Sequence, residues 1–223
     1  MGVTNVIKAV AAGLSIGIGG HAFLSLGGGV LGALFFSVGL LCVCIFCLNL
    51  FTGKVCYCVD KEHNMVFYIV ILLVNLVIAW VYGIAARFMN PEIVDYAKDV
   101  TADKLSKNFV QLAIAAIVCN ILIYIAVETF KIHRDVIGVV ALVLCISTFI
   151  IVGAEHCIAN SFYFAVAKHY DTQTLVFLLI NIAFNIVGGI LGRVIYGHII
   201  CEPVFSLSLN EHKDEDEENN EEE

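Results

Sequence analysis

Gly153-Ala154-Glu155-His156-Cys157-Ile158-Ala159-Asn160 sets a carboxylate, an imidazole and an amide inside an apolar run, 136–167, that is otherwise fit to lie in lipid. A milder interruption, Leu50-Phe51-Thr52-Gly53, falls at the matching place of a second long apolar run, 30–59. Polar groups at membrane depth are costly and persist where they serve a buried pathway. Paired breaks in corresponding halves of a chain point to a transport site near the bilayer midplane. The two stretches together read as a conduit for a small solute.

The rest of the 223 residues fits that reading: 60% are hydrophobic and 14% charged, against about 25% charged in soluble domains. A crossing needs roughly 20 apolar residues, and six runs qualify, at about 5–27, 30–59, 66–86, 109–130, 136–167 and 174–200. The first is too long and lacks the basic n-region of a cleavable signal. Three spans per half force the halves into opposite orientations. The expected fold is an all-α membrane protein of six transmembrane helices, a 3+3 inverted repeat with broken second and fifth helices. Residues 1–205 form one channel domain and 206–223 an acidic, disordered tail. The hinge, Arg87 to Asn108, carries Asn90-Pro91 and lies outside lipid.

Charge says little about the solute. Glu211 to Glu223 holds nine acids and one lysine, which equals the whole formal charge of −8. The remainder is neutral, and the tail reads as a solvated appendage. Basic residues divide evenly between the two sides, so the positive-inside rule sets no orientation. Nine cysteines invite a metal reading, but each helical residue turns about 100°, which sends Cys42 and Cys44 to opposite faces. Cys44 and Cys47 share a face without a zinc-spaced second pair. No metal and no cofactor are expected, and the cysteines read as small hydrophobes.

Gly53 and Gly153 flank the breaks, where a residue without Cβ frees the backbone. Other glycines read as close helix contacts. Trp80, Tyr82 and Tyr163 fit interfacial anchoring. His21 reads as a packing residue in preference to a vestibule group. Lys54 either attracts anions at a mouth or snorkels to head groups.

Asn49-Leu50-Phe51-Thr52-Gly53, Cys119-Asn120, the Glu155-His156 run and Asn185-Ile186-Val187-Gly188-Gly189 stand in one order and spacing from about Asn5 to Ile200. Together they closely resemble the formate/nitrite transporter family, with the Glu-His-x-x-Ala-Asn run the most specific piece. The resemblance implies a homopentamer of aquaporin-like protomers, each with its own pore, and cytoplasmic termini in a plasma membrane. It assigns the central histidine to His156 and the loop threonine to Thr52. The pore amides fall on Asn120 and Asn185, with Asn160 closing the fifth-span run, and the vestibule lysine on Lys104. It implies apolar constrictions at Phe36, Ile123 and Phe149 on the outer side, and at Leu40, Leu50 and Phe51 on the inner side. Ala154, Cys157 and Lys54 depart from common family residues. The Thr-Gly-Lys form is similar to a short clade that includes hydrosulfide channels.

An anion in an apolar slit pays several kcal/mol of desolvation unless paired or neutralised. The expected mechanism gives the solute a proton near His156, from the imidazole or from a water, so that it crosses as the neutral acid. Thr52 holds the solute or orients the ring, and Asn120 and Asn185 satisfy backbone freed at the breaks. Glu155 is expected to accept backbone N–H groups there. Formate leads the expected solutes; hydrosulfide, nitrite and short carboxylates are the alternatives. The partners are that anion, a proton, the bilayer and other copies of the chain, with no nucleic acid. An enzyme with His and Cys ligands lacks paired histidines at metal spacing. A structural tetraspan scaffold leaves His156 and the duplicated breaks unexplained.

Overall fold

A computed structural model describes residues 2–60 and 63–197. The predicted acidic tail, Lys61 and Cys201 lie outside the described residues. In chain order the elements are α1 (Val3–Ser25), α2 (Gly29–Ile45), α3 (Phe51–Lys54) with a 3-10 extension (Val55–Asp60), α4 (Met65–Met89), α5 (Ile93–Leu105), α6 (Phe109–Ile132), α7 (Val136–Ile151), α8 (Cys157–Ala167) and α9 (Thr172–Tyr196). The long helices begin where short polar connections supply a cap, which satisfies amides that have no partner within the helix. Asn64 Oδ1 accepts from the Phe67 amide, Asn108 and Gln111 form a reciprocal capping box, and Asp135 and Asp171 cap α7 and α9.

Among the described residues four helices, α1, α4, α6 and α9, are long and apolar enough to cross a membrane. The predicted second and fifth spans are each divided, α2 from α3 and α7 from α8. The chain is thus an all-α, multi-pass integral membrane protein. Each half has the same neighbours. α1 packs on α2 and α4, as α6 packs on α7 and α9. α4 lies along α8, α9 lies along the 3-10 extension of α3, and α2 meets α7 between the halves. Close approach of α1 and α2 is built into glycine: a Cβ on Gly19 would sit 2.6 Å from the Phe36 carbonyl, and one on Gly39 2.6 Å from that of Ser15.

The two breaks repeat one another bond for bond. Phe46, Cys47 and Leu48 donate to the carbonyls of Cys42, Cys44 and Val43, and Val152, Gly153 and Ala154 donate to those of Thr148, Ile150 and Phe149. The chain then crosses to the first helix of its own half. The Asn49 amide donates to Lys8 O at 3.3 Å and the Glu155 amide to Ala115 O at 3.1 Å. The left-handed residue that ends each first segment is Cys47 (φ 49°) or Gly153 (φ 71°). Gly53, expected to use its missing Cβ at the break, instead lies within α3 and has no positive φ. Where a helix stops on a left-handed residue, that residue stands just past its C-terminus, and in the first half a cysteine fills that place.

Candidate functional site

Two asparagines bracket the breaks. Asn185, on α9, accepts from the Cys157 amide at 3.0 Å and donates to Ala116 O at 2.8 Å and Glu155 O at 2.9 Å. Asn75, on α4, does the same in the other half: it accepts from the Phe51 amide at 2.8 Å and donates to Ala9 O at 2.7 Å and Asn49 O at 3.2 Å. Both are fully buried. Each amide therefore meets the first unpartnered N–H of a short half-helix and ties the preceding turn to the neighbouring span. Asn120 completes the arrangement by donating to Thr52 O at 3.0 Å.

His156 and Leu50 occupy equivalent places, each the residue before its half-helix. Leu50 offers no cap, whereas His156 Nδ1 accepts from the Ala159 amide at 3.1 Å. That bond uses the Nδ1 lone pair, so a neutral ring carries its proton on Nε2. Nε2–H then donates to Thr52 Oγ1, 2.9 Å away. An imidazolium would turn Nδ1 into a donor facing the Ala159 N–H and remove the cap. The geometry suits a neutral ring pinned at one nitrogen and bonded to a hydroxyl at the other.

The walls around this pair are apolar. Phe149 stacks on His156 with centroids 6.2 Å apart and meets Phe36 edge-on at 5.6 Å. Phe36, Leu40, Leu50, Phe51, Ile123 and Phe149 are all buried members of one cluster. A cavity of about 340 Å³ opens on one side, reaching His156, Phe149, Lys104, Lys107, Glu155 and Asn160. A smaller one, about 110 Å³, opens on the other side at Leu50, Cys44, Lys54, Lys131 and Arg134. Lys54 thus lies at a mouth. Thr52 borders neither cavity, and His21 bonds to Tyr82 Oη away from both.

The larger vestibule differs from expectation in its charge. Glu155 accepts from side chains rather than backbone: Lys104 Nζ at 2.8 Å and Asn160 Nδ2 at 2.8 Å, with Lys107 Nζ 3.1 Å from its other oxygen. The backbone amides that it was expected to satisfy are met by Asn185 and His156, which frees the carboxylate for the lysines of the preceding segment. Lys104 is consequently half of an ion pair and not a bare cation at a mouth. Burial works against the Lys107 charge, but Glu155 and then Asp103 more than offset this and hold its pKa above the ordinary lysine value. Asn160 also donates to Asn181 Oδ1, and Asn181 Nδ2 donates to Glu155 O at 2.7 Å. Tyr163, expected at an interface, is buried beside Lys104.

Asn75, Asn181 and Lys107 went unread in the sequence. Asn75 was legible only by overlaying Val74-Asn75-Leu76 of the third span on Phe184-Asn185-Ile186 of the sixth. Among the described residues no group of three or more His, Cys, Asp or Glu could hold a metal ion.

Comparison with known proteins agrees with this architecture. The sequence model described as "Formate/nitrite transporter" matches residues 3–198. A formate-nitrite transporter of Plasmodium malariae is 24% identical over 263 aligned positions, spanning 96% of this chain and 79% of that protein. One from Plasmodium falciparum (isolate 3D7) is 24% identical, spanning 92% and 77%. Among solved structures, a pentameric formate channel with formate bound superposes with a TM-score of 0.75 at 24% identity, over 88% of this chain and 96% of that one. An FNT family ion channel gives 0.75 at 19% identity, over 90% and 91%. With the family match running through every helix described here, the chain belongs to the formate/nitrite transporter family and is a small-anion channel or transporter, not an enzyme.

Proposed function

We propose that the protein carries small monovalent weak-acid anions, with formate as the leading solute, and that the solute crosses the apolar throat as its neutral acid. The observation that carries this reading is the His156–Thr52 bond of 2.9 Å, held between aromatic and aliphatic walls below a 340 Å³ vestibule. A bare anion there loses hydration that no free cation replaces, because Glu155 occupies Lys104 and Lys107. Protonation removes most of that cost. His156 in the tautomer drawn above is far too weak an acid to give up Nε2–H, so the proton comes from water in the vestibule. The Nε2–H and the Thr52 hydroxyl then offer the carboxyl group a donor and an acceptor.

The six-span, 3+3 inverted repeat is part of this proposal, supported by the two matching breaks and the Asn75 and Asn185 brackets. So is a homopentamer with one pore per protomer. Its supports are the pentameric relative of the same fold and the exposed apolar stripe Val66, Ile69, Leu73, Val77 and Val81 on α4, which suits lipid or a second copy. An even number of spans puts both termini on one side, assigned here to the cytoplasm of a plasma-membrane protein.

Flux of labelled formate, nitrite and sulfide into proteoliposomes tests the function. Formate is expected to enter faster than into empty vesicles, and faster as the pH falls. Nitrite or hydrosulfide outrunning formate reassigns the solute within the same fold. Equal rates in loaded and empty vesicles for all three, at acidic and neutral pH, overturn the transport reading.

A further inference from the structure

The smaller mouth carries a charge that nothing described neutralises. Its wall holds Lys54, Lys131 and Arg134 and no acidic residue. Lys131 is paired with Glu128 at 2.7 Å, but Lys54 and Arg134 have no ion pair or side-chain hydrogen bond among the described residues. This contrasts with the larger mouth, where Glu155 faces two lysines. Two unpaired cations at a narrow opening flanked by apolar Leu48, Leu50, Val127 and Phe130 make a site for a polyanion.

The described chain ends near this mouth, and the sequence beyond it supplies such a polyanion. The last turn of α9 is fixed beside the mouth: Arg193 pairs with Asp60 at 2.9 Å and donates to Tyr124 Oη at 3.2 Å. Lys131 and Arg193 both face the Tyr57 ring, at 4.3 and 5.7 Å from its centroid. From that root, residues 198–210 lead to Glu211–Glu223 with its nine acids, and those thirteen residues reach up to about 45 Å when extended. We infer that the acidic C-terminal segment, Glu211–Glu223, docks at the Lys54–Lys131–Arg134 mouth and competes there with the anionic solute. Docking lowers the local anion concentration that the cations would otherwise raise. The inference concerns regulation of the conduit proposed above, and its binding test is independent of transport.

Zero-length carbodiimide coupling of the full-length protein in detergent reads the docking directly. Isopeptide links from Lys54 or Lys131 to acids of 211–223, found by mass spectrometry and lost at about 0.5 M salt where screening is strong, are the expected result. Links only to Lys104 or Lys107 at the larger mouth, or no tail links at all, overturn the inference whatever the flux. Links between different chains, distinguished by mixing light and heavy protein, move the docking to a neighbouring copy and overturn the assignment to the tail's own mouth.

A functional arm uses a same-length variant with all nine tail acids changed to Gln or Asn, which keeps the chain intact. Solute entry at low salt and low solute is expected to rise roughly threefold, the size given by an exposed charge contact of under 1 kcal/mol. The rise is expected to vanish in the K54Q/R134Q background. An unchanged rate in the tail variant, alongside positive links, shows that the segment binds without competing and overturns the regulatory half of the inference. Free polyglutamate that binds the tail-neutralised protein, but not its K54Q/R134Q form, supports the mouth as the polyanion site.

Discussion

Replacing Asn75 by Leu, a change of similar volume, removes one acceptor and two donors from the first break. The Phe51 amide loses its acceptor and Asn49 O loses its only side-chain donor among the described residues, while Ala9 O stays within the helical ladder of α1. A buried polar group left unmet costs about 1–3 kcal/mol, so the pair costs roughly 3–4 kcal/mol. Asn185→Leu strips the equivalent amide of Cys157, but Glu155 O keeps the Asn181 donor at 2.7 Å. That variant should cost about 2–3 kcal/mol. For a chain of this length each kcal/mol lowers Tm by about 2–4 °C. Thermal unfolding in detergent should therefore show a drop of roughly 6–16 °C for Asn75→Leu and a smaller one for Asn185→Leu. Asn90→Ala, at an exposed amide 3.4 Å from Ser25 Oγ, should stay within about 2 °C of the parent. An Asn75→Leu protein that melts with the parent, or an Asn185→Leu protein that is the weaker of the two, refutes the account of the brackets.

The other expectations concern single residues. Thr52→Val leaves Nε2–H of His156 without its acceptor and should slow formate flux about tenfold, with Thr52→Ser restoring most of it; equal flux in all three proteins removes the hydroxyl from the pathway. His156→Asn keeps an N-cap residue and should lower flux at every pH while preserving its rise towards acid, as the proposed protonation by water requires; a flattened pH profile instead makes the imidazole the donor. Cys47→Gly relieves a left-handed backbone and should raise stability by about 0.5–1 kcal/mol, whereas Gly153→Ala, with nothing within 4 Å of the new Cβ, should lower it by about 1–2 kcal/mol through backbone alone; chemical unfolding reads both. Glu155→Gln uncouples Lys104 and Lys107 and should cost about 3–5 kcal/mol, together with a lower KM for the anion if the vestibule cations are thereby freed. A change in stability with no change in KM would show that the lysines serve only to hold α5 in place.

Apolar length and two polar breaks were enough to place the chain in a membrane, and the break around His156, together with the family resemblance, set that imidazole apart from His21. The boundaries of α4 and α6 follow from Asn64 and Asn108, whose capping chemistry is local. What the sequence hid is what depends on distant partners. Asn75 alone looks like one tolerated amide in a leucine-rich span; its meaning comes from the Phe51 amide, which only folding brings within 2.8 Å. Lys107 reads as a loop lysine until the chain turns it onto Glu155. Glu155 was read as a backbone acceptor because a broken helix exposes amides; the amides were met by Asn185 and by His156 itself. Cys47 carries a backbone angle that residue type argues against, so attention to glycine fell on Gly53, which holds no such angle.

The Ala159–His156 cap also limits how protons travel. A ring fixed through Nδ1 cannot swing round to collect a proton on one face and release it on the other without breaking open the first turn of α8. An empty conduit of this kind should hold a pH gradient even while it is permeable to its acid. On the proposed mechanism a proton crosses only as the hydrogen of a neutral solute molecule and no net charge moves, so the lone pair that starts a helix should also block proton leakage.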